Sequence, residues 1–549
     1  MNTSTLPDNP VFLKQILANV TTDHEEILAD KDAVIADQAA TIVDREATIS
    51  DHKAEISRLA EQVRLLKAIR FQAQSEKNRF HGHEVQYPLF NEAEMVADEA
   101  GEDDDKDIQV PAHTRKKRGR RPISPDYPRV EVIHDIPEDE KVCPCGCELT
   151  RIGEEVSEKL DIIPQKIQVI RHIRPKYACR ACEGVEDDGP TVKIAPMPPQ
   201  IIPQGIVTPS LLAYILINKF ADGLPFYRQS TMFDRLGVDI SRATMSGWAI
   251  RAGLAVEPLI ELLHQEIRSG PIINMDETPV QVLKEPGREN TTKSYMWVMR
   301  GGPPGKPVVL FHYAPSRGGE VAKELVGDFT GYFQTDGYAG YNALGKRPDI
   351  IHVGCLAHAR RKLHDVIKAA GKKNIKKKGG TAQTVLDLIG KIYHKEKQAR
   401  RKESTLDEIL AMRKNEIKPL LDKIKNILID RKSTTPPKSL LGQAIFYALG
   451  QWPRIEVYLN HSGLTPDNNA AENAIRPFAV GRKNWLFAGS PRGAMASAAI
   501  YSLIESAKAN GLNPHQYLND LFDKLPHASS EQDLRALLPQ NIASMSSPG

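Results

Sequence analysis

Three acidic residues occur in sequence contexts that suit phosphoryl-transfer chemistry: Asp276, Asp336 and Glu472. Asp276 lies within a strand-like run and Asp336 ends another. Glu472 belongs to a helix-like run that stops at Pro477. Carboxylates brought together repel one another, and folding alone gains nothing from it. Two divalent cations relieve the repulsion and hold the attacking and leaving oxygens of an in-line phosphoryl displacement. The residues therefore predict a site for magnesium or manganese.

Each acid also has a purely structural explanation. Asp276 could cap a turn, and Asp336 precedes a glycine, which is a common turn pair. Glu472 could complete a capping box with Asn469 or pair with Arg476 one helical turn later. Taken singly these explanations are favoured. The occurrence of all three acids on the correct elements, two strands and a later helix in the correct order, favours the metal site.

The elements that must position these acids follow a recognisable order. Three strand-like runs from residue 268 are followed by a helix at 316–326, a strand ending at Asp336, and a fifth strand. A lysine-rich helical block and a further helix come next. This is the plan of a ribonuclease H-like fold, a mixed five-stranded sheet with helices and an α-helical insertion. Its first and fourth strands are neighbours, so the acids converge.

Five of the six cysteines lie between residues 143 and 182, in a strand-like segment. The two cysteine groups are separated by a segment that is typical of a β-hairpin. Cysteines at the base of such a hairpin predict a zinc ribbon with tetrahedral thiolate ligands. Cys179 and Cys182 form the second pair. In the first group three thiols are available for two ligand positions. We expect Cys143 and Cys147 to fill them, with Cys145 possible in place of either. The alternative is a set of free structural cysteines.

The N-terminal region predicts a long helix with a coiled-coil seam. Apolar residues recur at seven-residue steps: Leu28, Ile35, Ile42, Ile49, Ile56 and Val63. The second seam position is polar in its first half: Lys31, Gln38, Arg45 and His52. A lone solvated helix is the alternative. We expect the seam to pair protomers, as a dimer.

Several segments carry candidate DNA contacts. The linker at 113–125 is basic and follows an acidic tract at 92–107. Its Arg-Gly-Arg core suits a narrow minor groove, although unspecific phosphate binding explains it equally well. Residues 205–262 have helix-turn-helix-like spacing, in which Ser241 caps the second helix. The candidate DNA-binding residues are Arg118, Arg120, Arg121, Arg242, His358, Arg360, Arg361, Arg476, Arg482, Lys483 and Trp485.

The chain of 549 residues is long enough for several domains, and its net charge of +3 says little about partners. It has no run of about 18 apolar residues and no signal-like N-terminus, so we expect a cytoplasmic protein without membrane contact. The predicted segments are a flexible N-terminus (1–20), the coiled coil (21–78), an acidic then basic linker (79–125), the zinc module (126–200), the helix-turn-helix-like region (205–262), the catalytic domain (268–365 and 451–515), its helical insertion (366–450), and a C-terminal helical segment with a loose tail (516–549).

The motifs "MDETPVQVL", "YFQTDGYAGYNAL", "VGCLAHARRKLHD" and "DNNAAENAIRPFAVGRKNWLFAGS" resemble those of the DDE transposases of the insertion-sequence sixty-six family of bacteria. The likeness extends over residues 110–515. It implies a catalytic triad at Asp276, Asp336 and Glu472. It also implies a helical insertion, a zinc module, a leucine-zipper-like segment and small accessory proteins of the same element.

We therefore expect a magnesium-dependent enzyme that binds the ends of its element, cleaves DNA and joins the freed 3′ hydroxyl to target DNA. One alternative is a non-catalytic zinc-containing DNA-binding protein derived from such an enzyme. Another is a plain ribonuclease H-like nuclease. Metal-dependent cleavage of DNA carrying the element ends discriminates the first alternative.

Overall fold

The computed structural model describes residues 10–71, 167–178, 192–370 and 380–542. The helices are α1 (Pro10–Phe71), α2 (Pro209–Phe220), α3 (Phe226–Arg235), α4 (Arg242–Ala255), α5 (Glu257–Arg268), α6 (Gly319–Val326), α7 (Leu356–Ala370), α8 (Thr381–Arg401), α9 (Leu406–Met412), α10 (Lys418–Lys432), α11 (Leu440–Ile455), α12 (Asn469–Trp485), α13 (Pro491–Ala509), α14 (Pro514–Lys524) and α15 (Glu531–Ala536). The strands are β1 (Lys176–Ala178), β2 (Val192–Ile194), β3 (Ile272–Val282), β4 (Lys293–Gly301), β5 (Val308–Ala314), β6 (Gly331–Gln334), β7 (Ile350–Val353) and β8 (Phe487–Ala488). The chain divides into a helical unit (Met1–Leu89 with Leu356–Ser462) and a sheet unit (Phe90–Cys355 with Gly463–Gly549).

The sheet unit is built on a mixed sheet with the strand order β5-β4-β3-β6-β7. Strands β3, β4 and β5 form the predicted antiparallel meander, while β6 runs parallel to both β3 and β7. The predicted adjacency of the first and fourth strands of the sheet is confirmed. The expected five strands become six, because β8 pairs with the end of β3. A strand of two residues is too short to produce a periodic pattern.

The outer strand β5 is protected by side chains of helix α13. The N–H of Phe311 donates to Ser502 Oγ at 2.8 Å. The N–H of Val309 donates to Ser506 Oγ at 2.9 Å, and this hydroxyl donates back to the carbonyl of Val309 at 2.9 Å. Serine hydroxyls thus satisfy backbone groups that an edge strand otherwise leaves unpaired.

Replacing Ser506 by alanine should destabilise the sheet unit. It leaves a buried N–H and a buried carbonyl without their partner, which costs about 1–3 kcal/mol of unfolding free energy in urea denaturation. Ser497→Ala is the matched control on the same helix, because its hydroxyl only donates to Gly493 O within the helix. Equal stability losses in the two variants would contradict this role of Ser506.

The predicted helix-turn-helix-like region is helical, with α3 and α4 joined by a turn at Gly237 (φ +78°). Ser241 caps α4 as predicted, accepting from the N–H of Thr244 at 3.1 Å. Arg242 is exposed at the start of this helix, whereas Trp248 is buried. The exposed first turn of α4 is therefore the part free to meet a partner.

The sequence predicted that helix α12 stops at Pro477, and this prediction is wrong. The helix continues through Pro477 to Trp485. An interior proline removes one backbone hydrogen bond and costs about 3 kcal/mol. Phe478, Ala479 and Gly481 are buried just beyond it, so packing of the second half of the helix offsets this cost.

Both ends of the chain are more regular than predicted. Helix α1 begins at Pro10, inside the stretch expected to be flexible, and proline is favoured in the first turn of a helix. In the expected loose tail, Ser530 and Asp533 form a capping box that starts α15. Leu538 then packs with 0% exposure.

The helical unit contains α1 and α7–α11, and α1 packs against α7 and α11. The predicted seam residues are exposed on α1, between 48% and 66% for Leu28, Ile35, Ile42, Ile49, Ile56 and Val63. These residues form an apolar stripe that the described part of the chain leaves exposed to solvent.

A buried ion pair holds the helical unit at a π-helical turn (Arg413–Ile417). Arg413, 1% exposed, donates to both carboxylate oxygens of Glu396 at 2.8 and 2.9 Å. It also donates to the carbonyls of Tyr458 and His461 at 3.0 and 2.8 Å. The π turn therefore directs a fully bonded guanidinium into the core.

The zinc module is described only in part. Strands β1 and β2 form an antiparallel pair. Strand β1 thus pairs with a strand that follows Cys182 in the chain. The predicted hairpin between the two cysteine groups is described only from residue 167, and residues 167–175 are not in a strand. The zinc-ligand predictions (Cys143, Cys145, Cys147, Cys179 and Cys182) and the linker arginines (Arg118, Arg120 and Arg121) also lie outside them.

Candidate functional site

Two of the predicted acids are side by side because of the register between β3 and β6. Asn274 and Gln334 are direct partners in this parallel pair. Asp276 and Asp336 each follow two residues later, and side chains two residues apart in extended chain share a face of the sheet. Asp336 lies just beyond the carboxyl end of β6, where Tyr338 N–H donates to its Oδ1 at 2.9 Å.

Glu472 is brought to the same face by the first turn of α12. Asn468, the residue before this helix, donates from Nδ2 to the carbonyl of Met275 at 2.9 Å. Its backbone N–H donates to Cys355 Sγ at 3.3 Å. Cys355 is buried. These bonds fix the start of α12 over β3, and Glu472 is 8% exposed one turn later.

The pKa of Asp276 reflects the charges of the neighbouring acids. Burial raises the pKa of Asp276 well above its usual range, and the neighbouring charges of Glu277, Glu472 and Asp336 raise it further. The hydrogen bond from the Glu277 N–H to Asp276 Oδ1, at 2.9 Å, opposes this shift. The charges of Asp336 and Glu472 therefore both act on Asp276.

Glu277, next to Asp276, is engaged in a separate contact. Its carboxylate accepts from Arg317 Nε at 2.7 Å and from the hydroxyl of Tyr341. Arg317 also lies over the ring of Tyr338 at 3.9 Å. Burial raises the pKa of Glu277, while the Tyr341 and Arg317 contacts oppose the shift. The contact joins β3 to the loop that follows Asp336, and Tyr341 is buried within it.

Glu277→Gln should therefore affect catalysis far less than a change at Asp276. The amide oxygen still accepts from Arg317, and the amide nitrogen donates to the hydroxyl oxygen of Tyr341, so both contacts persist. The metal-dependent DNA cleavage expected from the sequence should therefore stay within about tenfold of that of the unmodified chain. Initial cleavage rates measure this. A loss as large as that of Asp276→Asn would mean that Glu277 is itself a ligand.

The donor set suits a divalent cation. Three carboxylates placed at one face of the sheet, two of which raise the pKa of the third, Asp276, present hard oxygen ligands. Mg²⁺ and Mn²⁺ prefer such ligands. A protein gains nothing by collecting such charges unless a cation joins them. Asp276, Asp336 and Glu472 are thus the residues of this unit that could hold the metal.

The basic candidates on α12 differ in their surroundings. Arg482 donates to Thr278 Oγ1 at 3.1 Å, and burial lowers its pKa. Lys483 is exposed. Trp485 is half-buried, with Lys219 Nζ 5.4 Å from its ring. Burial lowers the pKa of Lys219 to about 8, and no sequence pattern singled this lysine out.

The remaining candidates are described on their own helices. Arg476 is half-buried on α12, and Arg242 is exposed on α4. Three candidates are half-buried on α7 in the helical unit: His358, Arg360 and Arg361.

Sequence reasoning missed the amides beneath the acids. Asn274, Gln334 and Asn468 are buried and bonded to one another. A signal was present: "NMD" and "QTD" both place an amide two residues before a predicted ligand. The repeat becomes meaningful only once the strand register is known.

Four family models match segments of the chain. The family described as "Transposase IS66 family" matches residues 204–496, and the "zinc-finger binding domain of transposase IS66" matches 140–183. The "IS66 C-terminal element" matches 502–540, and the segment described as "Transposase C of IS166 homeodomain" matches 58–132. The chain belongs to the IS66 transposase family.

Similar proteins come from Sinorhizobium fredii. The uncharacterized protein y4jD is 33% identical over 75% of this chain and 80% of its own length. The uncharacterized protein y4qI is 32% identical over 78% and 79% of the two chains. The uncharacterized protein y4hP is 30% identical over 76% of each.

Among the described residues, the helices lack the combination of length and apolar character that crossing a membrane requires. The zinc-finger match supports zinc as a bound metal and DNA as a partner.

Proposed function

We propose that the chain is a DDE transposase that cleaves DNA at the ends of an insertion sequence and transfers the freed 3′ ends to target DNA. The observation that carries this proposal is the placement of Asp276 on β3, Asp336 just beyond the adjacent β6 and Glu472 in the first turn of α12, within the family-matched region. The charges of Asp336 and Glu472 both act on Asp276. On this view the sheet unit is ribonuclease H-like. The catalytic domain comprises residues 268–365 and 451–515, with the insertion at 366–450.

The three carboxylates have distinct duties in this proposal. Asp276 and Asp336 would hold both metal ions, and Glu472 would hold one. The ions would supply activation of the attacking water and stabilisation of charge on the leaving 3′ oxygen of the scissile phosphodiester. The protein holds the carboxylates in register on β3, β6 and α12 so that the ions need little rearrangement.

Several segments share the binding of DNA. Zinc, held by Cys143, Cys147, Cys179 and Cys182 with Cys145 as a substitute, supplies folding energy for the small module at 126–200. The exposed start of α4, with Arg242, contacts the element ends. The linker arginines and the basic residues of α7 and α12 bind phosphates. Because the element is bacterial DNA, the enzyme acts in the cytoplasm.

The α1 seam pairs two protomers as a coiled coil, since two element ends must be brought together. Small accessory proteins of the same element join this assembly. The exposed apolar stripe of α1 supports the pairing.

Charged substitutions in the seam should dissociate the dimer. We expect the full chain to sediment as a dimer and the Ile42→Asp/Ile49→Asp variant as a monomer, because paired aspartates repel at a buried seam. Val43→Asp is the control, since Val43 is 67% exposed but lies off the seam. A monomeric unmodified chain would exclude pairing through α1.

The proposed activity is tested by incubating the chain with DNA that carries the element ends, in Mg²⁺ or Mn²⁺. Strand breakage and joining are expected only with metal and only at the ends, and both should vanish in Asp276→Ala and Asp336→Ala. Binding without metal-dependent breakage by the unmodified chain would favour the non-catalytic DNA-binding alternative.

A further inference from the structure

Three buried amide side chains next to the acids form a hydrogen-bond network. Asn274 Nδ2 donates to Gln334 Oε1 at 2.9 Å and to Asn468 Oδ1 at 3.1 Å. Gln334 Nε2 donates in turn to the carbonyl of Thr465 at 2.7 Å. The side chain of Asn274 therefore connects all three elements that carry the acids.

The network has the same order as the site above it. Asn274 precedes Asp276 by two residues on β3, and Gln334 precedes Asp336 by two residues on the parallel chain. Asn468 precedes Glu472 by one helical turn. Since residues two apart in a strand share a face, the bonded amides and the acids lie on the same side of the sheet. Each carboxylate is thus preceded on its own element by one of the bonded amides.

All three amides of this network are buried, so a lost hydrogen bond within it is costly in free energy. The exposures of Asn274, Gln334 and Asn468 are 7%, 1% and 1%. A buried amide without a partner is costly, whereas apolar residues of similar size would pack without that risk. What amides add is geometry, because their bonds form only at one strand register and one helix position. Like charges on the acids push the same three elements apart.

We propose that Asn274, Gln334 and Asn468 are positioning residues that hold the three carboxylates at the spacing a divalent cation requires, and so set metal affinity. The inference rests on the proposed function. The amides touch neither substrate nor metal, and act through the backbone positions of Asp276, Asp336 and Glu472.

Binding of Mn²⁺ to the full chain without DNA, measured by electron paramagnetic resonance, tests the inference. Asn274→Leu and Gln334→Met keep side-chain volume but remove the bonds, so one of them remains informative if the other fails to fold. Each should raise the Mn²⁺ dissociation constant about tenfold, as for other residues that support metal ligands. Cleavage by these variants should recover at saturating Mn²⁺.

The matched control is Asn510→Leu, whose amide donates to the carbonyls of Pro307 and Ser506 at 2.8 Å elsewhere in the same unit. It should lower stability without changing Mn²⁺ affinity. Unchanged affinity in folded Asn274→Leu or Gln334→Met would overturn the inference, as would an equal loss in the control. Asp276→Asn is measured in parallel. If it binds Mn²⁺ as well as the unmodified chain, the metal site itself fails, and the inference falls with it.

Discussion

Asp276→Asn, Asp336→Asn and Glu472→Gln should each reduce metal-dependent cleavage of element-end DNA by about a thousandfold, because each removes a charged ligand at the point where transition-state charge develops. The substitutions preserve shape, so binding of the same DNA should persist. Single-turnover cleavage and a gel-shift assay separate the two effects.

The control for these three variants is Glu505→Gln. Glu505 is also a buried carboxylate of the sheet unit, at 7% exposure, and burial likewise raises its pKa. It pairs with Lys508 at 2.9 Å and lies on α13. Its cleavage rate should stay near that of the unmodified chain. Comparable losses of cleavage rate would show that neutralising any buried acid impairs cleavage. The effect could then not be assigned to the removal of a metal ligand.

Asp276→Asn should also stabilise the metal-free protein while it abolishes activity. The folded-state pKa of Asp276 is raised, so the unfolded chain releases this proton at lower pH than the folded chain does. Stability is therefore lost as the pH rises from the ordinary pKa through the folded one. The amide does not titrate, so we expect a melting temperature about 2–4 °C higher at neutral pH.

The pH dependence and the response to metal sharpen this prediction. The stability gain should shrink as the pH falls to the usual range of an aspartate pKa. Adding Mn²⁺ should raise the melting temperature of the unmodified chain by mass action, but not that of the variant. Asp349→Asn is an opposite-sign control, because Arg347 lowers the pKa of Asp349. A lower melting temperature for metal-free Asp276→Asn would contradict the account.

The sequence revealed those parts of the structure that depend on local pattern. The meander, the strand that leads to Asp336 and the cap at Ser241 follow from periodicity and turn chemistry, which neighbouring residues determine. The continuation of α12 beyond Pro477 could not be predicted from local pattern, because burial of Phe478 and Ala479 overrides the local preference of proline.

The connections that complete the site could not be predicted because they are long-range. Asn274 and Asn468 are 194 residues apart in the chain, and Glu277 and Tyr341 are 64 apart. Their side chains meet only after the sheet register and the position of α12 are established. The serine hydroxyls of α13 that bond β5 are 191 and 197 residues from their partners.

Cleavage of the polypeptide by hydroxyl radicals from a bound metal tests the central claim most directly. With Fe²⁺ in place of Mg²⁺ and ascorbate with peroxide present, the backbone should be cut near Asp276, Asp336 and Glu472 in one protein, and excess Mg²⁺ should suppress all three cuts together. Fragments from one or two of these positions, or cuts unaffected by Mg²⁺, would contradict a shared metal site.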